Sequence, residues 1–208
     1  VESVLATQYK EFYQKASACT ACGLARGRTQ VVVGDGSLTA KVMFIGEAPG
    51  YYEDQQGLPF VGAAGQFLNE LLAMVGLDRK RDVYICNVIK CRPPGNRDPL
   101  PMEVESCRPW LEQQLTLLKP KVIVTLGRFS LAHFLPNESI SRVRGKAQTR
   151  NGVIIYPVYH PAAALHNGNL RKAIEDDFKK IPDLIQQAEK LSAPEKPPVK
   201  EPKQLSMF

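Results

Sequence analysis

The stretch GEAPGYYEDQQGLPFVGAAG, Gly46 to Gly65, lies between an apolar run, Lys41-Val42-Met43-Phe44-Ile45, and a segment of helical periodicity, Gln66 to Val75. A strand that ends in a glycine-rich loop and leads into a helix is where α/β proteins hold their ligands. Gly46 and Gly50 allow a tight turn and close approach of the backbone, which a Cβ would prevent. Pro49 stiffens the turn, and Glu47 sets a carboxylate at the strand's end. No Lys-Ser or Lys-Thr pair follows the glycines and the dinucleotide spacing is absent, so this is neither a phosphate loop nor a Rossmann fingerprint. Phe60, between Pro59 and Val61-Gly62, presents a ring to a planar partner. Carboxylate, rigid turn and offered ring together describe a pocket for a heterocycle.

Outward from this loop the chain alternates strands and helices. Residues 1–18 read as a helix with Leu5, Tyr9, Phe12 and Tyr13 along one face, followed by Cys19-Thr20-Ala21-Cys22 and a short strand, Val31-Val32-Val33. The helix from Ala64 buries Phe67, Leu68, Leu71, Leu72 and Val75, and Gly76 stops it. A second core strand, Val83 to Ile89, contains Asn87, an amide that is costly to bury unless its hydrogen bonds are met. An irregular loop, Lys90 to Arg97, precedes a helix that follows Pro101, carries Cys107, Trp110 and Leu111, and is closed by Pro120. The third strand is Val122 to Gly127, with a short helix after it to Leu135. The fourth, Val153 to Val158, ends at Tyr159-His160-Pro161. A last helix spans Leu170 to Leu191, with a kink expected at Pro182. Such alternation implies a parallel sheet covered on both faces. Parallel strands share one carboxyl edge, which brings Glu47, Asn87 and His160 together.

With 208 residues, 44% of them apolar and 23% charged, the chain has the composition of an ordinary soluble domain. Its apolar runs are strand-sized, so no membrane span is expected, and the N-terminus has no signal-peptide pattern. The net charge of +6 is compatible with a polyanionic partner, and Arg142, Arg144, Lys146 and Arg150 follow one another without an acid among them. Five cysteines is an odd number, which ranks metal or cluster ligation above a disulfide framework. Cys86 falls inside a strand as a core thiol. The remaining four, Cys19, Cys22, Cys91 and Cys107, suit zinc or an iron–sulfur cluster, and softness alone does not choose between them.

Five separated motifs carry a resemblance: GEAPG, GLPFVGAAG, Asn87-Val88-Ile89-Lys90-Cys91-Arg92-Pro93-Pro94, Cys107-Arg108-Pro109-Trp110 and His160-Pro161-Ala162-Ala163. In this order, from about Tyr9 to about Ile185, they resemble the family 4, iron–sulfur, uracil-DNA glycosylases. The resemblance implies a three-layer α/β/α fold with a central four-stranded, mainly parallel sheet, and a glycosylase domain over 1–191. It implies a [4Fe–4S] cluster on Cys19, Cys22, Cys91 and Cys107 that organises a DNA-facing loop. It implies base flipping followed by hydrolysis of the N-glycosidic bond, which frees uracil and leaves an abasic site.

Under that resemblance Phe60 stacks on the flipped uracil. Asn87 donates to O4 and accepts from N3–H, a pattern that cytosine reverses. His160 donates to O2 as the base departs with negative charge. Backbone N–H groups of the Gly46–Pro49 loop, Gly46 and Ala48 among them, contribute as well. Ala48 matches the position where the best-known branch has a water-activating Asp, so Glu47, one residue earlier, is the candidate to hold water or steady the cationic sugar; a structural role in the loop is its rival. Arg92, Arg97 and the basic stretch Arg142, Arg144, Lys146 and Arg150 are the expected phosphate contacts, with Leu165 as the side chain that fills the gap in the duplex; a helix-capping contact is its rival role.

Two other readings compete. A related branch becomes covalently trapped on DNA, but it has a longer loop with a histidine nucleophile, and KCRPPGNRDPLP has neither insertion nor histidine. A zinc or redox iron–sulfur module that only binds nucleic acid would lack base release. The partner in each case is DNA, single- or double-stranded, and a monomeric, cytoplasmic, nucleoid-associated protein is expected. Residues 192–208 form a Pro/Lys-rich tail ending in Gln204-Leu205-Ser206-Met207-Phe208, which resembles the peptide that docks on bacterial sliding clamps.

Overall fold

The computed structural model describes residues 2–192; the tail and its clamp-like peptide lie outside the described residues. Among the described residues six strands form one sheet: β1 (Asp35–Gly36), β2 (Val42–Gly46), β3 (Val83–Asn87), β4 (Val122–Leu126), β5 (Gln148–Arg150) and β6 (Val153–Val158). Their order is β1-β3-β2-β4-β6-β5. The inner four are parallel, as their apolar runs imply, and the two short outer strands pair antiparallel to β3 and β6. The expected four-stranded sheet is therefore a mixed six-stranded one. Asp35-Gly36 and Gln148-Thr149-Arg150 have no apolar pattern to announce them, because backbone pairing alone places them at the edges. Val31-Val32-Val33, expected as a strand, is irregular; its side chains are buried and Val32 N–H donates to the Lys90 carbonyl at 2.7 Å.

The helices are α1 (Glu2–Ser17), α2 (Tyr51–Gln56), α3 (Ala63–Met74), α4 (Pro101–Leu118), α5 (Arg128–Phe134), α6 (Ile140–Val143), α7 (Ala162–His166), α8 (Asn169–Phe178) and α9 (Ile181–Ser192). Alternate residues of each inner strand feed two cores. Phe12 and Ala16 of α1, Leu111 and Leu118 of α4 and Leu131 of α5 pack on Met43, Ile45, Tyr84 and Ile123. Phe67, Leu68 and Leu71 of α3, Phe178 of α8 and Ile181 of α9 pack on Val42, Phe44, Ile85 and Val124 from the other side. The result is the three-layer α/β/α architecture. Both faces of the parallel strands are covered, which is why those strands read as near-continuous apolar runs. The single helix expected over 170–191 is two. Pro182 is the second residue of α9, where its missing N–H breaks no helical bond, so it begins a helix instead of kinking one. Among the described residues no helix is long and apolar enough to cross a membrane.

Candidate functional site

The parallel register places Gly46 opposite Asn87, so the loop after β2 and the exit of β3 leave the sheet together. They stay paired, because Val88 N–H donates to Gly46 O at 3.0 Å and Ile89 N–H to Glu47 O at 3.1 Å. His160 arrives two residues past β6. Ala48, Phe60, Asn87 and His160 line one cleft at this carboxyl edge. A Cβ on Gly46 would fall 2.4 Å from Asn87 Oδ1 and 2.6 Å from the Phe60 ring, so the glycine lets the amide and the aromatic edge converge.

Phe60 has a left-handed backbone, φ 52°, which an aromatic residue adopts only when its surroundings enforce it. Arg79 supplies the enforcement by donating to Phe60 O at 2.8 Å and to the Pro59 carbonyl. Gly65 supplies the room, since a Cβ there would stand 1.9 Å from Phe60 O. The Phe60 ring stacks on the His160 imidazole, centroids 5.4 Å apart and planes 25° apart. Glu53 closes the loop on itself. Its carboxylate accepts from Gly50 N–H at 3.1 Å and from the Val61 and Gly62 N–H groups at 2.8 Å each, joining the start of α2 to the start of α3. Sequence reasoning missed α2, Glu53 and Arg79; the Glu three residues into α2 was a capping signal that could have revealed the first two.

Asn87 is 2% exposed, and its Oδ1 has no hydrogen-bond partner among the described residues. Thr125 Oγ1 shares that condition but lies inside β4, away from the cleft lining. A buried acceptor left unpaired costs about 1–3 kcal/mol, so the amide is poised for a donor from a ligand. Behind it is Lys90, also buried, whose Nζ donates to Asn87 O at 2.7 Å and to Gln114 Oε1 at 2.5 Å. Gln114 donates in turn to Tyr84 Oη and Val33 O, and Tyr84 bonds Tyr9 of α1. This buried polar chain anchors the backbone that carries the amide. The sequence places Lys90 in the loop after the second strand and in the Asn87–Pro94 motif, with no role of its own.

His160 Nδ1 accepts from Ala162 N–H at 3.1 Å, so the proton of the neutral ring sits on Nε2. Burial pushes its pKa down to about 4, with Glu53 opposing weakly, and the imidazole is neutral at physiological pH. Glu47 is half-buried. Burial raises its pKa, Asp98 raises it further and Arg128 lowers it, and its side chain is not among those lining the cleft. The charges that act on it, Asp98 and Arg128, pair with each other.

Cys19, Cys22, Cys91 and Cys107 border one cavity walled by Ala16, Leu24, Val31, Ile89 and Trp110. N–H donors point at its sulfurs: Trp110 Nε1 lies 3.2 Å from Cys19 Sγ and Arg28 Nη1 3.4 Å from Cys91 Sγ. Among the described residues no three His, Cys, Asp or Glu side chains are arranged to hold a single metal ion. Four thiols around one cavity, with N–H donors for thiolate sulfur, form a donor set that suits thiolate-ligated metal or an iron–sulfur cluster. Cys86 is fully buried within β3 and off this wall.

The basic residues separate. Arg92 makes no ion pair among the described residues; its Nε donates to Asn96 Oδ1 at 2.6 Å. Arg97 is held by Glu103, with both bonds under 3 Å, and Arg142 by Glu138. Arg144 is taken by the buried Asp177 at 2.8 Å, which makes it an internal strut between α6 and α8. Arg150 sits in β5 opposite Val153, at the amino end of β6 and so at the end of the sheet remote from the cleft. Lys146 is exposed, and Leu165 is exposed on α7, just beyond His160.

The family model of the uracil DNA glycosylase superfamily matches residues 33–181. The chain is 46% identical over 181 residues to a type-4 uracil-DNA glycosylase of Sulfurisphaera tokodaii, covering 82% of each chain. It is 47% identical to the type-4 enzyme of Archaeoglobus fulgidus, over 84% of this chain and 92% of that one. The Thermotoga maritima type-4 enzyme is 44% identical, over 83% and 92% respectively.

Proposed function

Because the chain belongs to the uracil-DNA glycosylase superfamily, we propose that it extrudes uracil from DNA, hydrolyses its N-glycosidic bond and leaves an abasic site for repair. The observation that carries this reading is the buried, unpartnered Oδ1 of Asn87. Uracil N3–H donates to Oδ1 and its O4 accepts from Nδ2. Cytosine opposes both contacts, which costs about 1–3 kcal/mol for each group left unpaired. The base stacks on Phe60, beside the imidazole. As the C1′–N1 bond breaks, the electron pair leaves with uracil and spreads to O2, where the neutral Nε2–H of His160 stabilises it. Water adds to C1′, and Glu47, made more basic by burial, receives its proton.

The donor set supports a [4Fe–4S] cluster on Cys19, Cys22, Cys91 and Cys107, whose iron–sulfur bonds would cross-link the end of α1, the exit of β3 and α4. Arg92, Lys146 and Leu165 are the proposed DNA contacts, with Arg142 joining them if DNA phosphate displaces Glu138. The glycosylase domain ends near residue 191. Gln204–Phe208 is a proposed tether to a replication clamp, and the enzyme acts as a monomer on the nucleoid.

The test is release of free uracil from uracil-containing DNA by the intact chain and by Asn87→Ala and Asn87→Asp. Loss of about 100-fold or more is expected in Asn87→Ala, and measurable cytosine release in Asn87→Asp. No release by the intact chain, or undiminished release by Asn87→Ala, would refute the reading.

A further inference from the structure

At the lip of the cleft stand two large aromatic side chains that the core does not use. Tyr51 is 51% exposed and Tyr52 60% exposed, although both belong to α2, which Glu53 and Gly50 hold rigidly in place. Their rings meet edge to face, centroids 5.4 Å apart. The Arg92 guanidinium lies 5.1 Å from the centre of the Tyr51 ring and has no carboxylate partner among the described residues. Tyr51, Tyr52 and Asn96, which orients Arg92, line the same cleft as Asn87 and His160. Exposed tyrosines on a short helix gain little from burial and add nothing to the cleavage chemistry. Rigid aromatic faces beside an unpaired cation are, however, what unstacked nucleobases on a phosphate backbone bind.

We propose that Tyr51, Tyr52 and Arg92 form a stacking platform for the bases that flank the extruded uracil, with Arg92 meeting the intervening phosphate. The inference rests on the cleft being the uracil pocket. In a single strand the flanking bases are free to leave their own stack and lie on the tyrosines. In a duplex their partners on the opposite strand hold them. The platform therefore favours single-stranded substrate.

The experiment measures binding of a single-stranded oligonucleotide in which a tetrahydrofuran abasic analogue is flanked by 2-aminopurine, and of the same strand in a duplex. The intact chain is compared with Tyr51→Ala/Tyr52→Ala and with Tyr51→Phe/Tyr52→Phe. Stacking should quench 2-aminopurine in the intact chain. The alanine pair should abolish the quench and weaken single-strand binding by about 10-fold per ring, while the phenylalanine pair retains both. Duplex binding should change much less. Thermal melting of each variant separates a folding defect from a lost contact. Unchanged single-strand binding in the alanine pair, or equal losses on single strand and duplex, would overturn the platform. Uracil release by the intact chain is scored separately. If it is absent the pocket reading fails, and the binding comparison still decides whether the tyrosines stack bases.

Discussion

His160 shows how one residue's surroundings set its chemistry. A protonated imidazole would be a stronger donor, but an enclosed cation would also hold an anionic leaving group in the site. Burial pushes the pKa to about 4, and the Ala162 N–H fixes which nitrogen carries the remaining proton. The shift is also a stability statement. An unfolded histidine titrates near 6.5, so between about pH 6.5 and 4 the unfolded chain binds more protons, and stability falls as pH falls. His133 is shifted in the same direction by burial and contributes with the same sign. His160→Gln should therefore flatten, without abolishing, the loss of unfolding free energy across that window, as measured by denaturant titration at several pH values. Single-turnover uracil release by the same variant should fall far more than DNA affinity, because the contact strengthens only as charge develops. A slope identical to that of the intact chain would mean that His160 is not held neutral by the fold.

At the scale of elements, the loop between β2 and α3 is a built object. It covers residues 47–62, and its shape depends on Glu53 gathering three backbone N–H groups and Arg79 gathering two carbonyls. The left-handed Phe60 is retained because both clamps act on its neighbours. Glu53→Ala frees the Gly50, Val61 and Gly62 donors and should cost about 1.5–3 kcal/mol of stability, the range for a hydrogen-bonded charged group. Amide exchange across residues 57–62 should rise, and uracil release should drop with no change in the residues that touch the base. Unaltered exchange in that segment would show that the loop holds its shape by packing alone.

Across the whole molecule, the four cavity cysteines come from three regions: the turn after α1, the exit of β3 and the middle of α4. The same α4 supplies Gln114, which reaches through Lys90 to the backbone of Asn87. The cysteine-lined cavity and the Asn87 amide therefore share one buried support. Cys91→Ser should lose iron, measured per chain after anaerobic purification, and lower the melting temperature. Cys86→Ser should keep its iron, because its sulfur is inside β3. Iron retained by Cys91→Ser, or one zinc per chain in the unaltered protein, would defeat the assignment.

Apolar runs of five or six residues separated by helical patterns were enough to establish a parallel sheet covered on both faces. Such strands can be stable nowhere else, because both sides of each must be buried. The shared carboxyl edge then followed, and with it the meeting of Asn87 and His160 in one cleft, since that depends on strand direction; the Glu47 side chain, expected with them, is not among those lining it. The edge strands β1 and β5 were not legible, because backbone pairing carries no side-chain pattern. The fates of the arginines were equally hidden. Arg144 is bound to the buried Asp177, thirty-three positions away, and Arg150 lies at the far end of the sheet, while Arg92 bonds Asn96 and has no carboxylate partner among the described residues. Local sequence sets what a side chain can do, through its charge, shape and donors. Which of those capacities is used depends on the partner the fold brings to it, and for Arg79, Lys90 and Glu53 that partner is a backbone group that only the tertiary structure places within reach.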